Sequence, residues 1–197
     1  KIPESGGTPL IFMIGCGHIE SGEWVWSCFT TDSLCEASEA EVIEQWIAYM
    51  DDVISRLAAT EAKPRVFHWS HAEKSTFETA FNSAVNRHPD KVWNKPYWYD
   101  FLKNVIREEP VTVQGAFGFG LKAIATAMKK LSYIETGWDA GPTDGLGAMV
   151  GAWTAAREAK AKGIKLTETS LMEEIKKYNE VDCKVMMEII NYLRSEH

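Results

Sequence analysis

The sequence predicts an α/β domain, and three observations carry that prediction. Two aromatic-rich apolar runs open the chain with β character. A short strand followed by a helix gives β–α alternation in the middle. The second half is dominated by segments whose apolar residues recur at helical spacing. At 197 residues the chain suffices for one domain with a sizeable core. Its 45% hydrophobic and 25% charged residues are ordinary for a globular protein. No apolar run approaches the roughly 18 residues of a membrane span, and no signal peptide is evident, so no membrane partner is expected. The chain begins at Lys1 rather than at a methionine, which admits a piece of a longer protein.

The elements follow in order. Leu10-Ile-Phe-Met-Ile14 is a buried-strand run, Ser21-Gly22 a turn, and Trp24 to Phe29 a second strand, together a hairpin. Ser38-Glu-Ala-Glu41 has the form of a capping box and opens a long helix with the stripe Ile43, Trp46, Ile47, Met50, Val53, Ile54 and Leu57. Arg65 to Trp69 is a short strand, followed by a helix over His71 to Val85 with Phe77 and Phe81 inward. Lys91 to Glu109 is aromatic-rich and helical in its second half. Gln114-Gly-Ala-Phe-Gly-Phe-Gly120 is a glycine-rich loop that leads into a helix over Leu121 to Leu131. Gly137 to Gly147 is another loop, and a small-residue helix covers Leu146 to Lys162. The last helix runs from Ser170 to Arg194 on the stripe Leu171, Ile175, Tyr178, Val185, Met186, Ile189 and Leu193.

Asp182 breaks that last stripe. It falls on the apolar face, four residues after Tyr178, whereas Glu174, Lys177, Glu180, Lys184 and Glu188 carry ordinary solvated charge. A carboxylate there needs a partner. A phenol and a carboxylate at i and i+4 lie side by side, which suits a metal-ligating Asp beside a water-orienting Tyr. The bland reading is an Asp bonded to a neighbouring loop. Glu73 lies just past the Val66 to His68 strand, at the strand end where α/β folds place ligands; otherwise it is a first-turn Glu favoured by the helix dipole. Lys122 is either a surface lysine or one that reaches a substrate phosphate from its helix start. His68 and His71 straddle a strand–helix junction and share no regular face, so they do not read as a metal pair. The net charge of −7 argues against nucleic-acid binding by bulk electrostatics but not against a nuclease whose acidic cluster is offset by cations. Cys16, Cys28, Cys35 and Cys183 form no C-x-x-C pair, and free thiols in a reducing cytoplasm are expected.

Taken together, four stretches resemble the DEDD exonucleases of the ribonuclease H-like superfamily, in particular their Tyr subtype. They are Ile11-Phe-Met-Ile-Gly15 with the hairpin and helix that follow, His68-Trp-Ser-His-Ala-Glu73-Lys, Gly120-Leu-Lys-Ala-Ile124, and Tyr178-Asn-Glu-Val-Asp182. The resemblance covers nearly the whole chain. It implies a ribonuclease H-like mixed sheet flanked by helices, with the three expected strands in one sheet. It also implies a metal-dependent 3′–5′ exonuclease, free-standing or the proofreading module of a polymerase in the same chain. Two Mg²⁺ or Mn²⁺ ions would sit on carboxylates that include Glu73 and Asp182, and Tyr178 would orient the attacking water. Trp69, Ser70 and Lys122 would contact the 3′ end of single-stranded DNA or RNA, with Trp69 stacking on a terminal base or else buried in the core.

The family's first-strand Asp-x-Glu is not found. It is expected upstream of Lys1, and His18-Ile19-Glu20, with His in place of Asp, is read as a coincidence. Either the chain lacks its first strand or it is a catalytically degenerate module that binds nucleic acid or a protein partner.

Overall fold

The structure, a computed structural model, describes residues 9–57, 65–138 and 145–196, without the side chains of residues 57, 71–73 and 145–146. Its order is β1 (Met13–Glu20), β2 (Glu23–Thr30), α1 (Glu36–Leu57), β3 (Val66–His68), α2 (His71–Arg87), β4 (Trp98–Asp100), a π-helical turn (Leu102–Arg107), α3 (Leu121–Lys130), α4 (Gly145–Lys162) and α5 (Ser170–Glu196). The domain is α/β, as expected. No described helix is long and apolar enough to cross a membrane.

The single mixed sheet expected from the resemblance is not what the described residues form. β1 and β2 make an antiparallel hairpin, with Met13 opposite Thr30 and Glu20 opposite Glu23. β3 and β4 make a separate parallel pair, with Val66 opposite Trp98. The reason lies in the packing. The hairpin is sandwiched: Ile14 and Phe29 pack with Ile43 of α1 and Phe81 of α2 on one face. Phe12 and Met13 pack with Met172 and Ile175 of α5 and with α4 on the other. The β3–β4 pair belongs to a different core, where Phe67 and Tyr99 meet Ile124, Met128, Val185 and Ile189 of α3 and α5. Helices, not strand hydrogen bonds, join the two sheets.

The first strand also starts and ends later than the apolar run Leu10 to Ile14 suggests. It runs through Gly15, Gly17 and the His18-Ile19-Glu20 stretch expected at a turn. Alternation puts Gly15 and Gly17 on the α5 face and His18 and Glu20 on the α1 face. His18 Nδ1 lies 3.1 Å from the Tyr49 hydroxyl of α1, and Glu20 pairs with Arg56 of α1. His18 and Glu20 therefore point away from Asp182's helix.

Helix α1 begins at Glu36, ahead of the expected Ser38 cap. The Cys35 carbonyl accepts the first bond, from Glu39 N, while the Ser38 hydroxyl lies 3.2 Å from that of Ser33. Leaving Glu39 inside the helix turns it inward, where it is fully buried. Its Oε1 accepts from Ile11 N at 2.7 Å, and its Oε2 accepts from Arg87 Nη2 at 2.6 Å.

Candidate functional site

Three elements converge at the middle of α5. Tyr178 and Asp182 stand one turn apart, both half-buried. Lys122 is the second residue of α3, which the glycine loop delivers through Gly120 at its N-cap. Its ammonium lies 4.9 Å from the Tyr178 ring centroid and 5.4 Å from that of Trp138. A cation over two aromatic faces gains roughly 0.5–2 kcal/mol per ring, more as water is excluded. Trp138 closes the group: its Nε1–H donates to Asp182 Oδ1 at 2.8 Å. The inward carboxylate thus has its partner in a loop indole.

Trp138 is positioned from below by Glu188. That carboxylate accepts from the backbone N–H of Glu135 at 3.0 Å and of Thr136 at 2.9 Å, and from the Thr136 hydroxyl. Three donors on one carboxylate fix the segment that follows α3 against α5, two residues before the tryptophan. Neither residue stands out in the sequence: Trp138 lies in an expected loop, and Glu188, expected to be an ordinary solvated charge, instead binds that loop. The signal for Trp138 was the large indole in a glycine-flanked loop, a residue type that seldom sits there without packing.

On the opposite flank of α5, Asn179 and Cys183 meet the hairpin. A Cβ on Gly15 would come within 1.7 Å of Asn179 Oδ1, and one on Gly17 within 2.2 Å of the Trp24 ring. The two glycines let the helix and the indole lie directly on the strand. Cys183 Sγ sits 3.8 Å from Gly15 O, and burial pushes its thiol up to about 12. Burial likewise pushes Cys16 up to about 11. The four cysteines are free thiols.

The remaining expected site residues fall elsewhere. Trp69 is 3% exposed, packs against Phe101, and donates its Nε1–H to Phe119 O at 2.7 Å. A ring so enclosed offers no face to a base, so of the two readings of Trp69 the structure favours a place in the core. Ser70 is the N-cap of α2 and makes no side-chain capping bond. Its carbonyl accepts the Nδ1–H of buried His68 at 2.7 Å. Glu73 lies in the first turn of α2, and its side chain falls outside the described residues, as does that of His71.

Among the described residues no three His, Cys, Asp or Glu side chains come together in a manner that would hold a metal ion. Of the two expected ligands only Asp182 has a described side chain, and one of its oxygens is bonded to Trp138. The described side chains alone therefore do not compose a two-ion site. What they do compose is an ammonium, a phenol, a carboxylate and an indole N–H within one cluster. The ammonium suits an anionic oxygen. The phenol can hold or pass a proton. No protein-family model matches the chain, and no curated protein or solved structure matches it either.

Proposed function

We propose that this domain hydrolyses phosphodiester bonds from the 3′ end of single-stranded nucleic acid, as a ribonuclease H-like 3′–5′ exonuclease. The observation that supports the reading is the packing of Lys122 onto Tyr178, with Asp182 one turn away. These residues come from two of the stretches that resemble that family, and they meet in space although they are far apart in sequence. In this reading Lys122 neutralises a phosphate oxygen near the scissile bond. Tyr178 would orient the attacking water through its hydroxyl, and Asp182, held by Trp138, would be a ligand with Glu73. Bound Mg²⁺ or Mn²⁺ would supply charge neutralisation on the attacking and leaving oxygens.

A second reading, a catalytically silent module that binds nucleic acid or a protein, is favoured by the Trp138–Asp182 bond, since a carboxylate engaged this way can be purely structural.

The test is Mn²⁺-dependent shortening of a 5′-labelled single strand by the full-length protein. Tyr178→Phe keeps the ring beneath Lys122, so it should leave the fold intact and slow turnover by about 10²–10⁴-fold, the range for a lost proton-handling group. Asp182→Asn should be slower still. Wild-type rates in both variants would overturn the exonuclease reading. Strand binding without any shortening in the parent protein would favour the second.

A further inference from the structure

The glycine loop ahead of α3 presents two phenylalanines in a manner that packing does not explain. Phe117 is 101% exposed, and Phe119, two residues on, is 42% exposed. Gly115 has φ +87° and Gly118 φ +150°, and a Cβ at either would meet nothing within 4 Å. Positive φ at these two positions restricts them in practice to glycine, so the loop is shaped to hold Phe117 outward. It is also anchored. Phe119 O accepts the Trp69 indole N–H, and the Arg107 guanidinium lies 5.9 Å from the centre of the Phe119 ring.

Its anchors place it beside the candidate site. Trp69 directly precedes Ser70 and the first turn of α2, which carries Glu73. Three residues after Phe119 comes Lys122, on the Tyr178 ring. A ring standing proud of a loop offers its two faces, on which a flat partner can lie, and the neighbouring charge favours an anionic one. Exposed Lys103 and Arg107 with half-buried Lys122 supply cations in this part of an otherwise acidic chain, against exposed Glu108 and Glu109. Aromatic faces beside cations are the composition with which proteins hold unpaired strands.

We propose that Phe117, backed by the Phe119–Arg107 pair, is the stacking surface for an unpaired base of the strand whose 3′ end enters the site. The proposal rests on the exonuclease reading for the identity of the strand, but it is tested without catalysis. Fluorescence anisotropy of a fluorescein-labelled single-stranded 12-mer, titrated with the protein in EDTA, reads binding alone. Phe117→Ala should weaken binding about 5- to 100-fold, the range for losing one base–aromatic stack, while Phe117→Trp should retain it. An abasic strand of the same length should bind the wild type weakly and be indifferent to Phe117→Ala. Far-UV circular dichroism should be unchanged, because Phe117 buries nothing. Equal affinity of wild type and Phe117→Ala, equal loss on the abasic strand, or no binding by the wild type would each overturn it. If hydrolysis is absent but Phe117-dependent binding is present, the exonuclease reading falls and the stacking surface stands. If hydrolysis depends on Asp182 and binding ignores Phe117, the reverse holds.

Discussion

Replacing Glu39 with alanine should be among the most damaging single changes outside the candidate site. Its carboxylate is fully buried on α1 and serves three donors: Ile11 N at 2.7 Å, Arg87 Nη2 at 2.6 Å and Arg87 Nε at 3.2 Å. Arg87 is itself only 12% exposed at its side chain, and it also donates to Pro9 O and Ser83 Oγ. One pair therefore ties the segment ahead of β1, α1 and α2 together. Deleting the carboxylate leaves a largely desolvated guanidinium and a buried backbone N–H without their acceptor. Breaking a buried pair from one side costs about 3–5 kcal/mol. At about 3 °C per kcal/mol for a domain of this size, the melting temperature should fall by roughly 9–15 °C.

Two further variants separate the contributions. Glu39→Gln keeps an oxygen for Ile11 N and loses only the charge against Arg87, so a smaller loss of about 1.5–3 kcal/mol is expected. Glu39→Leu combined with Arg87→Met removes both charges. It should be milder than Glu39→Ala, because no charge is stranded, yet short of wild type because Ile11 N stays unpaired. Urea unfolding followed by tryptophan fluorescence measures all three, with an unchanged slope indicating that the unfolded state is the same. A Glu39→Ala loss below about 1 kcal/mol, or a double variant worse than Glu39→Ala, would refute the reasoning.

Two more expectations concern the strand and the thiols. Gly17→Ala would drive a methyl into the Trp24 ring, which its Cβ would approach to 2.2 Å, and overpacking of this kind costs about 1–3 kcal/mol; an unshifted melting curve would show that the ring is free to move aside. Cys35 is exposed at the start of α1, where bonds from the Ser33 hydroxyl, then from the Ser38 hydroxyl and backbone, hold its thiol below the ordinary value. Its thiolate forms at lower pH, so native alkylation near pH 7–8 should label Cys35 first and leave Cys16 and Cys183, pushed up to about 11 and 12, unlabelled. Peptide mapping after brief iodoacetamide treatment would expose the opposite order.

α1 and α5 were legible because each carries a periodic apolar stripe. α3, α4 and α5 fall within a residue or two of the bounds that the sequence suggests. The hairpin was legible from its aromatic strand and Ser-Gly turn. The extent of β1 was not, because Gly15 and Gly17 remove the β-branched signal at the positions where Asn179 and Trp24 need room. β4 was hidden for another reason: Trp98 to Asp100 is three residues long, and its partner β3 is remote in sequence. The separation of the sheets could not be read at all, since strand pairing is a property of edges rather than of residues. In the site, Tyr178, Asp182 and Lys122 were visible as residues out of keeping with their surroundings. Trp138 and Glu188 were not, because each acts through a loop whose path the local sequence leaves open. Trp69 was ambiguous in the sequence, where an aromatic within a candidate motif suits a stack or the core equally; burial decides for the core.

The position of Asp182 follows from what α5 must do on its other sides. Met172 and Ile175 at its start pack with α4, and Val185, Ile189 and Ile190 toward its end pack with α3 and the β3–β4 pair. Between them Asn179 and Cys183 lie on Gly15, where a single added methyl would collide. A rigid helix held at three places has no rotational freedom left, so the side chains at 178 and 182 are aimed by contacts they do not themselves make. They emerge where the two apolar cores adjoin, at the start of α3. The carboxylate on the apolar stripe is therefore no packing defect. It lies at a seam that the rest of the helix keeps fixed, and Glu188, from the same helix, holds the loop that brings Trp138 to meet it.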